Sequence, residues 1–116
     1  MDAKKTYQGS CHCGQVTFEV KADLATAVRC NCSLCKRKGF PMVMTEEFKV
    51  TGGEEFLTRY QFNTMTANHY FCKVCGVYTH HNPRSNPAAT RVNAGCLEGV
   101  DPLSMEVGFV DGAALS

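Results

Sequence analysis

All but one of the eight cysteines in this 116-residue chain fall into three closely spaced groups. The groups are Cys11 and Cys13; Cys30, Cys32 and Cys35; and Cys72 and Cys75. Cysteines at these spacings can turn their sulfur atoms toward one metal ion, and thiolates are preferred zinc ligands. The grouping therefore favours metal binding, with disulfide bonds or a redox-active C-x-x-C as the alternatives.

The first and last groups together fit one closed zinc site. Cys11 and Cys13 lead into a predicted strand, in which residues i and i+2 point to the same side. Cys72 and Cys75 are followed by Gly76, and a glycine permits the tight turn of a zinc knuckle. Four cysteines saturate a tetrahedral ion, so we predict that this site is structural and that its loss loosens the fold.

The middle group offers three ligands from one loop. Three protein ligands with one exchangeable position are the arrangement of catalytic zinc. The lone Cys96, at the end of a predicted strand, is the candidate for a fourth ligand. We therefore predict an open, catalytic second site, with closure by Cys96 as the alternative.

Polar residues near these groups are candidates for substrate contacts. A basic run directly follows Cys35 and can attract an anion, and two histidines and an asparagine follow the C-x-x-C, where they can return toward the second site. The candidates are Lys36, Arg37, Lys38, His80, His81, Asn82 and Cys96. A solvated basic face and structural histidines are the alternatives.

Short segments with strand-like composition separate frequent Gly, Pro and Asn turns. We predict strands over residues 15–21, 48–51, 56–62, 69–71, 77–80, 91–94 and 104–110, and one short helix over residues 33–38. In the first strand, alternation places Val16, Phe18 and Val20 on one face. The predicted fold is mainly β, with small antiparallel sheets that zinc stabilises.

Composition narrows the class of protein further. The net charge is +1, from 12 Lys and Arg against 11 Asp and Glu, which argues against a nucleic-acid or membrane-surface binder. The chain lacks both a membrane-spanning apolar run and the apolar stretch of a signal peptide, so we expect a cytoplasmic location. We expect one domain over residues 1–116 with its core over about 7–110.

Four stretches resemble the glutathione-dependent formaldehyde-activating enzyme family, whose members include centromere protein V-like proteins. They are GSCHCGQV at 9–16, CNCSLC at 30–35, FCKVCG at 71–76 and CLEGVDP at 96–102, in the family's order and spacing. Residues 62–76, with PRSNP at 83–87, resemble the centromere protein V-like branch in particular.

The resemblance implies a fold of small coiled β-sheets stapled by zinc. It implies a structural zinc on Cys11, Cys13, Cys72 and Cys75, and a catalytic zinc on Cys30, Cys32 and Cys35. It also implies a carbon–sulfur lyase that adds glutathione to formaldehyde, as an S-(hydroxymethyl)glutathione synthase does. The alternatives are a non-catalytic zinc module that binds a protein or nucleic-acid partner, and a thiol-rich zinc or redox buffer.

Overall fold

A computed structural model describes residues 4–62, 65, 67–83 and 88–110. In that part of the chain, one short helix, α1 (Cys35–Lys38), and four single-turn 3-10 segments accompany ten strands. The strands are β1 (Lys5–Ser10), β2 (Thr17–Ala22), β3 (Val28–Cys30), β4 (Met42–Thr45), β5 (Glu47–Gly52), β6 (Leu57–Tyr60), β7 (Asn68–Cys72), β8 (Tyr78–Asn82), β9 (Thr90–Asn93) and β10 (Gly108–Val110). The predicted mainly β fold of small sheets is confirmed.

Three strands form the smaller sheet, in the order β1-β2-β5, with both pairs antiparallel. The alternation predicted for its central strand is present, because Val16, Phe18 and Val20 are each fully buried. Side chains between them, such as Glu19, are exposed. The smaller sheet therefore presents one apolar face to the rest of the molecule.

Seven strands form the larger sheet, in the order β10-β3-β4-β9-β8-β7-β6. Every pair is antiparallel except β10 with β3, which run parallel. The β7–β8 pair contains an irregularity: Tyr70 lies opposite His80, whereas Phe71 lies opposite Tyr78. Thr79 is thus an extra residue, and such a bulge re-aims the side chains that follow it.

The main core lies where the two sheets meet. Phe18 and Val20 of the smaller sheet pack with Val43 and Val92 of the larger one, and all four side chains are fully buried. A hydrogen bond of 2.6 Å from the Thr45 hydroxyl to the Lys21 carbonyl also crosses between the sheets. Burying a Val or Phe side chain contributes about 1.5–3 kcal/mol, so this junction is a main source of stability.

Most predicted strands are present, with boundaries shifted by a few residues, and three strands were missed. The missed strands are β1, β3 and β4. Strand β1 is mostly polar, β3 has only three residues, and β4 directly follows a proline. The predicted helix is shorter than expected, because regular α-helix begins only at Cys35.

The predicted strand over residues 104–110 is wrong in its first half. Residues Pro102–Ser104 form a 3-10 turn whose first N–H groups are capped by Asp101, which accepts from the Leu103 N–H at 3.0 Å. Only Gly108–Val110 forms a strand. Among the described residues, no helix is long and apolar enough to cross a membrane.

Candidate metal centres

The four-cysteine group assembles where the two sheets approach each other. Cys11 and Cys13 lie in the turn after β1, Cys72 ends β7, and Cys75 lies in the turn before β8. Their sulfur atoms all lie within 4.8 Å of one another, with 3.5 Å from Cys11 to Cys13 and 3.7 Å from Cys13 to Cys72. Tetrahedral zinc, with Zn–S bonds of about 2.3 Å, holds its sulfur ligands roughly 3.8 Å apart. The spacing therefore fits a zinc ion.

Backbone N–H groups directed at these sulfur atoms stabilise their negatively charged thiolate form. The N–H of Val16 points at the Cys11 sulfur and the N–H of Val74 at the Cys72 sulfur, each at 3.4 Å. The turn after Cys75 depends on Gly76, whose φ of 78° lies in the left-handed region that side chains resist. N–H groups directed at sulfur stabilise the thiolate, the form that binds metal.

In the absence of a bound metal ion, the thiols of this group differ in pKa. Burial raises the pKa of Cys75, but N–H groups of Val77 and Cys13 outweigh it and bring the pKa to about 6. For Cys13, the Gln15 N–H lowers the pKa, but burial and the neighbouring sulfurs raise it to about 11. Four adjacent thiolates repel one another, so a bound cation is the natural way to hold all four deprotonated.

The three-cysteine group is built by a single loop. Cys30 ends β3, Cys32 follows in the loop, and Cys35 begins α1. Their sulfurs lie within 4.8 Å of one another, and all three residues are half-buried. The N–H of Cys32 points at the Cys30 sulfur at 3.4 Å, and that of Cys35 at the Cys32 sulfur at 3.3 Å. This donor set also fits a thiophilic metal ion.

The pKa values of the thiols in the three-cysteine group also shift in opposite directions. Burial raises the pKa of Cys32, but hydrogen bonds from the Cys35 N–H and side chain outweigh it, so the pKa is lowered. Burial raises the pKa of Cys35 to about 12, against the opposing charge of Lys38. Among the residues that the structure describes, no further His, Cys, Asp or Glu ligand joins this group.

Cys96 lies outside both groups. Its side chain is 9 % exposed and belongs to the main core, and its sulfur donates to the Tyr78 carbonyl at 3.7 Å. Burial raises the pKa of Cys96 to about 12, so the residue is a neutral thiol. The alternative in which Cys96 closes the second site is therefore not realised in this structure.

The side chains of the basic run after Cys35 point in different directions, two toward solvent and one toward the interior. Lys36 and Arg37 are exposed, and the guanidinium of Arg37 donates to the Ser33 carbonyl. Lys38 turns inward instead, and its Nζ lies 4.0 Å from the centre of the Tyr78 ring and 5.2 Å from that of Phe40. Successive residues on a helical turn point in different directions, so three like residues in sequence occupy different environments.

The polar residues after the C-x-x-C also lie in different environments. His80 lies in the core, with its ring 4.4 Å from Phe48 and stacked at 4.7 Å on Tyr70, and its Nδ1 is 2.8 Å from the Thr79 hydroxyl. Asn82, at the end of β8, donates to the Ala89 carbonyl, just before β9, at 3.2 Å.

His81 faces the other side of the sheet, toward Lys38. Burial, with Lys38 as the next contribution, lowers the pKa of His81 to about 2. Its ring lies 5.1 Å from that of His69 and 6.0 Å from that of Tyr78. Of the histidines proposed from the sequence, His81 is therefore the one on the face that carries Lys38.

A cavity of about 250 Å³ opens beside the three-cysteine loop. It is lined by Ser33, Leu34, Arg37, Tyr60 and Phe62. The rings of Tyr60 and Phe62 stack at 5.8 Å and form its aromatic wall. Tyr60 and Phe62 were not predicted as site residues, because nothing in the sequence indicates that β6 faces the cysteine loop.

A group of polar residues continues from this cavity. We name it the polar cluster; His69 and His81 are buried, and Lys38, Tyr78 and Arg91 are half-buried. Tyr60 of the cavity wall lies opposite His69, His69 opposite His81, and His81 opposite Arg91, on four neighbouring strands. Residues directly opposite in antiparallel strands share one face, so the cavity and the polar cluster lie on the same face of the larger sheet.

His69, Tyr78 and Arg91 were not among the site residues predicted from the sequence. The Tyr78 hydroxyl lies 2.7 Å from His69 Nδ1, and burial, with Lys38 as the second cause, lowers the pKa of His69 to about 4. Burial also raises the pKa of Tyr78 above its usual range. A buried row of this kind is visible only once strand pairing is known.

A mainly β fold with two cysteine groups that could each hold a metal ion defines the class of small metal-binding β proteins. The family model described as glutathione-dependent formaldehyde-activating enzyme matches residues 6–108, so the chain belongs to this family. A crystal structure of a Rhodobacter sphaeroides protein is similar, with a TM-score of 0.85 and 46% identity over 89% of this chain and 99% of that one. The family resemblance predicted from the sequence is confirmed.

Proposed function

We propose that this protein is a zinc-dependent enzyme that adds a thiol such as glutathione to formaldehyde or another small aldehyde, in the carbon–sulfur lyase class. The observation that carries the proposal is the convergence of three cysteine sulfurs, within 4.8 Å, beside an open cavity. Among the described residues no fourth side-chain ligand joins them, so the donor set leaves a position for a substrate.

In this proposal the four-cysteine group holds a structural zinc ion, and Cys30, Cys32 and Cys35 hold the catalytic one. When bound at the second site, zinc lowers the pKa of a coordinated thiol and so supplies the nucleophilic thiolate. The cytoplasmic location expected from the sequence provides a reduced thiol pool for such a reaction.

The cavity positions the two reactants. The stacked rings of Tyr60 and Phe62 form an apolar wall against which a small aldehyde can pack, and the Arg37 guanidinium at the rim can bind a carboxylate of the thiol substrate. In the addition, a carbon–sulfur bond forms, the carbonyl π bond breaks, and the thiol proton ends on the new hydroxyl. Holding both reactants in contact lowers the entropic part of the barrier.

Charge near the cysteines is the second contribution of the chain. Three thiolates on one divalent ion leave a net negative centre, and the buried ammonium of Lys38 follows Cys35 on α1. Lys38 offsets that charge without becoming a ligand. His81 lies on the face that carries Lys38 and is the candidate for a hydrogen bond to the aldehyde oxygen, whereas His80 and Asn82 have partners elsewhere.

The alternative is a non-catalytic zinc module that binds a protein or nucleic-acid partner. That reading favours a second site closed by a fourth cysteine, whereas Cys96 donates to the Tyr78 carbonyl in the core. A net charge of +1 also gives little attraction for nucleic acid.

Zinc content and adduct formation test the proposal together. We expect two zinc ions per wild-type chain, and exchange between ¹³C-formaldehyde and its glutathione adduct, followed by NMR, that is faster than in buffer. Cys32→Ser should stay folded, keep one zinc ion and lose the rate enhancement.

Cys96→Ser is the matched control, because it removes a cysteine outside both groups and leaves a hydroxyl that can donate to the Tyr78 carbonyl. It should keep both zinc ions and the wild-type rate. Equal rates for wild type and a folded Cys32→Ser protein would refute the proposed enzyme and leave the zinc module.

A further inference from the structure

Four buried nitrogen atoms of the polar cluster lack a hydrogen-bond partner within the part of the chain that the structure describes. They are Lys38 Nζ, His69 Nε2, His81 Nδ1 and Arg91 Nε. Both histidines are only 4 % exposed. Roughly nine in ten or more of the buried polar groups in folded proteins are paired, so four unpaired ones in a single cluster call for an acceptor beyond the described residues.

Strand pairing brings three of these residues into one row. His69 on β7, His81 on β8 and Arg91 on β9 lie directly opposite one another, so their side chains project from one face. Lys38 reaches the same face from α1, with its Nζ 4.0 Å from the centre of the Tyr78 ring. The bulge at Thr79 turns Tyr78 to this face, where its hydroxyl meets His69.

The hydrogen-bond roles of these atoms define the missing partner. A tyrosine is protonated at neutral pH, so Tyr78 can donate to His69 Nδ1, and the ring hydrogen of His69 then lies on Nε2. His69 Nε2 is in this arrangement a donor without an acceptor. Lys38 Nζ and Arg91 Nε are donors by their chemistry. Two of these three donors are on cationic side chains, and the ammonium of Lys38 also interacts with the Cys35 sulfur, so an acceptor that carries negative charge complements them best.

We propose that the polar cluster binds a carboxylate of the substrate and holds it beside the three-cysteine group. A carboxylate offers two oxygens with about four acceptor positions, enough for these donors. The cluster shares one sheet face with the cavity, through the row from Tyr60 to Arg91, and Lys38 lies on the helix that Cys35 begins. A molecule can therefore have its carboxylate in the cluster and its reacting atom at the cysteines.

This inference rests on the proposed function and adds a substrate class to it. The carboxylate can belong to the aldehyde, as in glyoxylate, or to the thiol, as in glutathione. Both sources share the recognising chemistry, a charge-assisted hydrogen bond from Lys38 or Arg91. Titration with matched pairs of ligands separates the two sources.

Calorimetric titration of the zinc-loaded protein tests carboxylate binding without turnover. Glyoxylate is compared with glycolaldehyde, which has the same chain length and no charge, and glutathione is compared with its diethyl ester. We expect glyoxylate or glutathione to bind more tightly than its counterpart without a carboxylate. The pair that shows the difference identifies the source of the carboxylate.

Arg91→Gln should weaken that binding about ten- to a hundredfold, as expected for the loss of a hydrogen bond from a charged group. Arg59→Gln is the matched control, because Arg59 is exposed and pairs with Tyr70, one position along from His69 and therefore on the opposite face. It should change the affinity less than twofold. If Arg91→Gln does not fold, His69→Gln provides a second comparison. This variant leaves Arg91 and Lys38, the charged residues of the cluster, in place.

Equal affinity of wild type and the folded cluster variants for every probe would overturn the inference, as would equal binding, in both pairs, of the members with and without a carboxylate. Failure of the proposed reaction has a different signature. Glyoxylate binding that depends on Arg91, in a protein that does not accelerate adduct formation, would support the carboxylate site and refute only the enzyme.

Discussion

Replacing Cys72 by serine should destabilise the protein by about 2 kcal/mol more than replacing Cys32, because the two cysteine groups close loops of different length. Through a bound ion the four-cysteine group links Cys13 to Cys72, 59 residues apart, whereas the outer members of the three-cysteine group are only about five residues apart. Treating each ion as a cross-link gives about 4 kcal/mol for the long loop and about 2 kcal/mol for the short one.

Thermal unfolding followed by circular dichroism, with zinc counted on the same samples, measures this difference. For a chain of this size, 2 kcal/mol corresponds to a melting temperature roughly 8 °C lower for Cys72→Ser than for Cys32→Ser. Each variant should retain one zinc ion, and Cys96→Ser should retain both. A Cys32→Ser protein that melts below Cys72→Ser, or a Cys72→Ser protein with two zinc ions, would refute this assignment of the structural site.

Three further perturbations follow from the structure. Burial lowers the pKa of His80 to about 4, whereas an unfolded histidine titrates near 6.5. The unfolded state therefore binds more protons between these two pH values, and the free energy of unfolding falls as the pH drops from about 6.5 toward 4. Denaturation at pH 7 and pH 5 should therefore show His80→Phe gaining roughly 2 kcal/mol relative to wild type at the lower pH; parallel pH profiles would contradict this. Gly9→Ala places a methyl group 2.3 Å from the ring of the fully buried Phe18, and urea unfolding should show a loss of about 1–3 kcal/mol with zinc content unchanged. Treatment with EDTA should release zinc in two phases, with the far-ultraviolet spectrum changing only in the second, because three cysteine ligands from one loop hold an ion less tightly than four ligands that join distant segments; one synchronous phase would argue against two distinct sites.

The cysteine spacing alone was sufficient to separate the two groups. A C-x-C before a strand and a C-x-x-C before Gly76 constrain the backbone locally, and local constraints are readable from sequence. Alternation in β2 likewise predicted the buried face of Phe18 and Val20, because side-chain direction in a strand follows a period of two. The same local signals failed for β3 and for the segment before β10, which are too short to show a period.

Only the tertiary structure decided which other residues accompany the three-cysteine group. In sequence Lys36, Arg37 and Lys38 look alike, yet only Lys38 turns toward the Tyr78 ring, because direction on a helical turn depends on what packs against it. His80 and His81 are neighbours on opposite faces of one strand, and the bulge at Thr79 brings Tyr78 to the face of His81. The row from His69 to Arg91 exists only through pairing of three strands, and strand register is a long-range property that no local pattern in this sequence encodes.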